Sequence, residues 1–226
     1  MVVVLVLQED KKIFSYNFFK QGLYVLVFFD FYKMKIVFAT NNQHKLSEIR
    51  HAVSKNINIV SLKDVNIIEE IPETQDTIEG NAIQKAQFVY DNYGLNCFAD
   101  DTGLEVTVLN NRPGVYSARY AGPECSSKKN IIKLLGELKN HEDRSAKFRT
   151  IIAYVEGSNI FTFEGIAEGQ ITLEPKGIEG FGYDPVFIPK GYKQTFAEMK
   201  LEQKNTISHR AKALRNFIDF LTSRYK

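Results

Sequence analysis

From residue 35 onward the chain alternates between short apolar runs and stretches where apolar residues return every three or four positions. Residues 35–39 predict a buried strand, and Leu46, Ile49 and Val53 at helical spacing predict a helix over 43–54. A second β-like run covers 57–61. Asp76-Thr77-Ile78-Glu79 reads as a capping box, with Asp76 accepting from first-turn amides and Glu79 reaching back. The helix behind it sets Ile78, Ala82, Ala86, Val89 and Tyr90 on one side, and Gly94 stops it. Residues 95–99 and 104–109 predict two strands flanking an acidic turn, followed by a turn-rich loop at 110–114. A helix over 127–138 turns Ile131, Leu134, Leu135 and Leu138 inward. Residues 148–155 and 160–168 predict an antiparallel pair about a turn at 156–159. A glycine- and proline-rich loop over 177–189 precedes a last helix, 208–223, that buries Leu214, Phe217, Ile218 and Leu221. No internal repeat, low-complexity linker or domain boundary interrupts the pattern, so the class is α/β with a mixed sheet.

The first 33 residues break this pattern. They hold nine of the 28 aromatic side chains, and their apolar stretches at 1–7 and 22–29 fall short of the roughly 20 residues of a membrane span. They lack a basic segment and a small-residue cleavage site, which argues against a signal peptide. The expectation is an N-terminal extension over 1–33 and a single domain over 34–226, with Met34 as the functional start. An extra hairpin or a partner-binding segment is the competing reading. Hydrophobic content of 44% and charged content of 25% suit a soluble globular protein. A net charge of +2 without a long basic run argues against nucleic-acid binding. Cys97 and Cys125 form no CxxC or metal-ligand pattern and read as thiols in a reducing cytosol, which gives a cytoplasmic expectation.

Four separated polar clusters carry the candidate chemistry. Thr40, Asn41, Asn42, Gln43, His44 and Lys45 link a predicted strand to a predicted helix, where free amides and a lysine suit phosphate; Thr and Asn are also ordinary helix caps. Asp100 and Asp101 are adjacent, and paired carboxylates suit a cation such as Mg²⁺ and the activation of water. The plainer alternative is a solvated Asp-Asp-Thr-Gly turn. Thr102 adds a hydroxyl, Glu73 a third carboxylate and Lys85 a further charge. Phe181, Gly182, Tyr183 and Asp184 offer an aromatic face and an acceptor for a base. Lys204, His209 and Arg210 add donors near the last helix, although Ser208 there also reads as a plain cap.

These clusters, together with the run from Pro113 through Val115-Tyr116-Ser117-Ala118-Arg119-Tyr120 to Gly122, closely resemble the inosine triphosphate pyrophosphatase family, from about residue 34 to the end. The resemblance implies an elongated mixed sheet with flanking helices, two lobes around a nucleotide cleft, and a homodimer. It implies Mg²⁺-dependent hydrolysis of ITP, dITP and XTP to the monophosphate and pyrophosphate. By motif match Thr40 through Lys45 contact the triphosphate and Asp101 is the general base, while Glu73, with Asp100 and Asp101 as further possibilities, holds the metal. Phe181, Gly182, Tyr183, Asp184, Lys204, His209 and Arg210 form the base side. Thr102 stands where the family often has Ser, and Tyr183 where other members carry Trp. A pyrophosphatase for modified pyrimidine nucleotides and a nucleotide sensor without turnover are the competing functions.

Overall fold

The computed structural model describes residues 34–52 and 57–224. The expectations for 1–33 and for Val53 and Ser54 lie outside these residues. Strand β1 (Met34–Phe38) leads into helix α1 (Gln43–Ala52), and β2 (Ile57–Ser61) lies parallel to β1. Helix α2 (Ile78–Tyr93) precedes β3 (Cys97–Val106), whose start runs parallel to β1. The short β4 (Arg112–Gly114) and helix α3 (Ser127–Glu137) follow. A long hairpin joins β5 (Ser145–Glu156) to β6 (Asn159–Ile171), with Gly157 at φ 59° in its turn. The chain ends with β7 (Phe187–Pro189), α4 (Leu201–Ile207) and α5 (His209–Arg224). The sheet order is β2-β1-β3-β5-β6-β7, with β4 against β3, so the sheet is mixed as the pattern predicts. No helix among the described residues is long and apolar enough to cross a membrane.

Period-two alternation divides the core between the two faces of the sheet. On β3, Cys97 and Ala99 pack with Ile78, Ala82, Ala86 and Val89 of α2. Phe98 turns the other way, to Leu46 and Ile49 of α1 and Leu214 and Phe217 of α5. Strand β5 repeats this, with Ile151 and Ala153 on the α2 face and Ile152 and Tyr154 on the α5 face. A third cluster gathers Leu104, Phe148, Leu134, Phe187 and Phe196.

Three sequence expectations change. The acidic turn is instead the middle of β3, a ten-residue strand laddered to β5 from Cys97↔Val155 to Val106↔Ala146. Asp and Gly are weak strand formers, and the uninterrupted pairing with β5 overrides that preference. The cap of α2 is Thr77, whose side chain accepts from the Gly80 amide, so neither Asp76 nor Glu79 has the role assigned to it. Helix α4 falls in a stretch for which the apolar spacing predicts no element.

Candidate active site

Strand pairing leaves a gap beside β3. On the edge opposite β5, β1 pairs only with Cys97 and Phe98, and β4 only with Leu104 to Val106. The segment between, Ala99 to Gly103, borders the end of β1, the kind of crevice in which α/β sheets bind ligands. From β1 the chain turns through Thr40, whose hydroxyl accepts from Asn42 N at 3.1 Å. Asn42 Oδ1 then accepts from the amides of His44 (3.0 Å) and Lys45 (3.2 Å). Thr40 and Asn42 thus shape the entry to α1 with their own side chains.

The alternation that sorts the core also separates the two aspartates. Asp100 follows Phe98 onto the α1/α5 face, and Asp101 follows Ala99 onto the α2 face. Asp100 is buried with both oxygens engaged: Lys45 Nζ donates at 3.0 Å and Arg210 Nε at 3.1 Å. Thr102, two residues on, shares that face. Its Oγ1 accepts from Arg210 Nη2 at 3.2 Å and bonds Thr150 Oγ1 at 2.7 Å. Arg210 completes its set by donating from Nη1 to Glu48. Glu48 also accepts from Lys204 Nζ at 2.6 Å, and Lys204 reaches Asp184 at 2.8 Å. The buried chain therefore runs Lys45–Asp100–Arg210–Glu48–Lys204–Asp184 across α1, β3, α4 and α5. Close approach of α5 to the sheet requires Gly165 on β6, where a Cβ would collide with the backbone of His209 and Ala213.

On the other face, Lys85 Nζ donates to Glu73 at 2.5 Å and lies 3.7 Å from Asp101 Oδ1. Asn81 Nδ2 approaches Asp101 Oδ2 at 3.4 Å. Asn81 and Lys85 fall on the buried stripe of α2, one turn apart.

These groups surround a cleft of about 640 Å³. Thr40, Asn41, Asn42, Lys45, Glu73, Lys85, Asp101 and Thr102 line one part of it. Phe181, Gly182, Tyr183, Asp184, Lys204, His209 and Arg210 line another. Gln43 and His44 do not line it, and neither does Asp100, which lies beneath. Its carboxylate is held by two cations, Lys45 and Arg210, on the face away from Asp101. Arg210 lines the cleft and donates from all three nitrogens, to Asp100, Glu48 and Thr102, so it also braces the wall it belongs to. Tyr183 belongs to the third core cluster, its hydroxyl donating to Ser117 O at 2.9 Å.

Protonation follows burial and partners. Burial would push the Asp100 carboxyl up, but Lys45 and Arg210 outweigh it and hold the group well below the usual carboxylate range. For Asp101 burial prevails over Lys85 and Lys45, and its carboxyl is raised. Glu73 is partly buried, yet Lys85 and Lys45 hold it below its ordinary value. Burial, with Arg210 and Lys204 nearby, depresses His209 far below 6.5, so its imidazole is neutral. His209 stacks on Phe148 at 4.5 Å, and its Nδ1 is the one buried side-chain nitrogen or oxygen without a partner among the described residues.

Glu48 and Thr150 went unnoticed in the sequence. Glu48 had a local signal, since it sits three residues after Lys45 beside the buried Leu46 and Ile49, where a solvated charge is out of place. Thr150 had none, because its role exists only through the β3–β5 register.

Comparison with known proteins agrees with this architecture. A dITP/XTP pyrophosphatase of Flavobacterium johnsoniae is 53% identical over 190 residues, covering 84% of this chain and 99% of its own. One of the same name from Porphyromonas gingivalis is 53% identical over 188 residues, covering 83% and 97%. The solved structure of the Staphylococcus aureus Ham1 protein superposes with a TM-score of 0.77 at 37% identity, over 84% of this chain and 99% of that one. The sequence profile of the Ham1 family matches residues 36–220, a span holding every group in the cleft described above, and the chain belongs to that family.

Proposed function

We propose that this protein hydrolyses non-canonical purine nucleoside triphosphates, namely ITP, dITP and XTP, to the monophosphate and pyrophosphate. The observation that carries the reading is Asp101. It is a carboxylate with a raised pKa on the wall of a cleft that also carries phosphate-type and base-type groups. Relatives bearing the name dITP/XTP pyrophosphatase support it.

The charge balance points to a metal ion. Lys45, Lys85, Lys204 and Arg210 are paired with Glu48, Glu73, Asp100, Asp101 and Asp184. Four cations against five carboxylates leave one formal negative charge where a polyanion is to bind. Glu73 and Asp101 are hard oxygen donors sharing one cation, Lys85, and they would hold Mg²⁺. No group of three or more His, Cys, Asp or Glu suited to a metal occurs among the described residues. Mg²⁺ characteristically uses one or two carboxylates plus substrate phosphates, so two suffice. When bound, the ion supplies neutralisation of phosphate charge.

The chain's own residues would do the rest. Asp101, on the wall of the cleft, accepts a proton from the attacking water. The water oxygen bonds the α-phosphorus while the bond from that phosphorus to the β-phosphate bridging oxygen breaks, releasing pyrophosphate. Lys45 and Lys85 stabilise the charge that develops on the phosphates. Asp100 holds Lys45 and Arg210 in place from below the cleft. Phe181 stacks on the base. In its Nδ1–H tautomer the neutral His209 has a donor to spare for a purine carbonyl, which adenine lacks at C6. A homodimer and a cytoplasmic placement belong to the same proposal.

The test is pyrophosphate release from ITP, dITP, XTP, ATP and GTP, with Mg²⁺ and again with chelator. Metal-dependent release from the first three alone is expected. Equal release from ATP would discard the base selectivity, and binding of ITP without release would discard the enzyme in favour of a sensor.

A further inference from the structure

Phe181 sits in a loop that holds its backbone. Gly180 and Gly182 flank it at φ 74° and 64°, in the left-handed region that glycine adopts without strain. Its own amide is tied to Asp184 Oδ2 at 2.8 Å, which fixes the backbone and leaves the ring to its neighbours. Those neighbours come from two sides of the site. Lys204 and Arg210 are buried, line the cleft, and stand 5.3 and 5.5 Å from the ring centroid. His44 is exposed, does not line the cleft, and stacks on the same ring at 5.2 Å with 19° between the planes.

His44 comes from the first turn of α1, immediately before Lys45, and its amide is fixed by Asn42 Oδ1. The ring pair therefore joins the phosphate end of the cleft to the base loop. We propose that His44 is a positioning residue for the base rather than a phosphate ligand: its imidazole backs Phe181 and sets the ring on which the base stacks. The inference rests on the nucleotide function proposed above. The role needs a flat ring and no charge, so it acts on affinity for nucleotides that carry a base and leaves chemistry at phosphorus alone.

The experiment is steady-state hydrolysis of ITP with Mg²⁺ by the full chain and its H44A and H44F variants, with inhibition by pyrophosphate measured in parallel. An aromatic pair of this kind supports a rise in KM of about fivefold for H44A, with kcat held within about twofold. H44F restores KM, and inhibition by pyrophosphate, which has no base, stays unchanged in both variants. A wild-type KM in H44A overturns the proposal. So does a joint loss of ITP and pyrophosphate affinity that H44F fails to restore, which would mark a phosphate ligand. If the wild-type protein turns over none of ITP, dITP and XTP, the proposed function fails instead. The same ratios are then read from the Kd of ITP by calorimetry, where an unchanged Kd in H44A overturns the positioning role on its own.

Discussion

Removing the charge of Glu48 tests the buried network most directly. Glu48→Gln keeps size and shape but replaces one oxygen by an amide group. In the native protein its two oxygens face Lys204 and Arg210, both buried. After the change one of those cations meets a donor. Hydrogen bonds to charged groups contribute about 1.5–3 kcal/mol each, and breaking a buried ion pair from one side costs about 3–5 kcal/mol. Asp184 and Asp100 stay behind as second partners for Lys204 and Arg210, which places the expected loss near the lower end, about 3 kcal/mol. For a domain of this size that lowers Tm by roughly 6–12 °C. Urea denaturation followed by circular dichroism gives the free energy, and a thermal scan gives Tm. Affinity for ITP should fall as well, since Lys204 and Arg210 lose their setting. A loss below about 1 kcal/mol, in the range of exposed salt bridges, would refute the claim that these charges form one coupled buried unit.

Asp101→Asn should abolish most turnover while ITP still binds and the fold is kept; a near-wild-type rate in the steady-state assay would remove Asp101 as the base. His209 predicts an acid-side instability. Its folded pKa lies well below the unfolded 6.5, so the unfolded chain binds more protons below that pH. The contribution of His209 is complete above about pH 6.5 and is lost as pH falls beneath it, at up to about 1.4 kcal/mol per pH unit. His209→Gln should flatten that part of the stability profile, and an unchanged acid slope in urea titrations would count against a buried neutral imidazole. Deleting residues 1–33 should leave turnover of ITP intact, since the family match begins at residue 36; loss of folding by circular dichroism would contradict this.

Elements with a clean period were legible from the sequence. β2 has its predicted bounds, and the ends of α2 and α3 lie within a residue of those expected. The miss at the acidic segment has a long-range cause. Asp100 to Gly103 look like a turn because Asp and Gly are weak strand formers, and only β5, some 50 residues away, makes them a strand. The site divides in the same way. Residue types that suit phosphate or a base could be picked out one by one, but their partners could not. Lys45–Asp100, Arg210–Asp100 and Arg210–Glu48 span 55, 110 and 162 residues, so no local spacing could reveal that Arg210 is a brace.

The division of labour between Asp100 and Asp101 follows from strand geometry alone. Consecutive residues on a strand must face opposite ways, so a pair of aspartates at one point of β3 serves two environments at once. On the α5 face, Lys45 and Arg210 hold Asp100 ionised, and it gathers the cations that brace the cleft from below. On the α2 face Asp101 has looser contacts at 3.4 and 3.7 Å, keeps a raised pKa, and meets the cleft. A carboxylate held by strong partners makes a poor base, because its charge is already satisfied; a desolvated one with loose partners makes a better base. Exchanging the two roles would require moving every partner to the other face. Asp100→Asn and Asp101→Asn should therefore differ in kind. The first should lower Tm and nucleotide affinity together, and the second should lower kcat with Tm unchanged or raised, because a carboxylate with an elevated pKa is removed. Equal losses of Tm in both variants would mean that the two faces are not separate, and the assignment of the base to Asp101 would lose its physical ground.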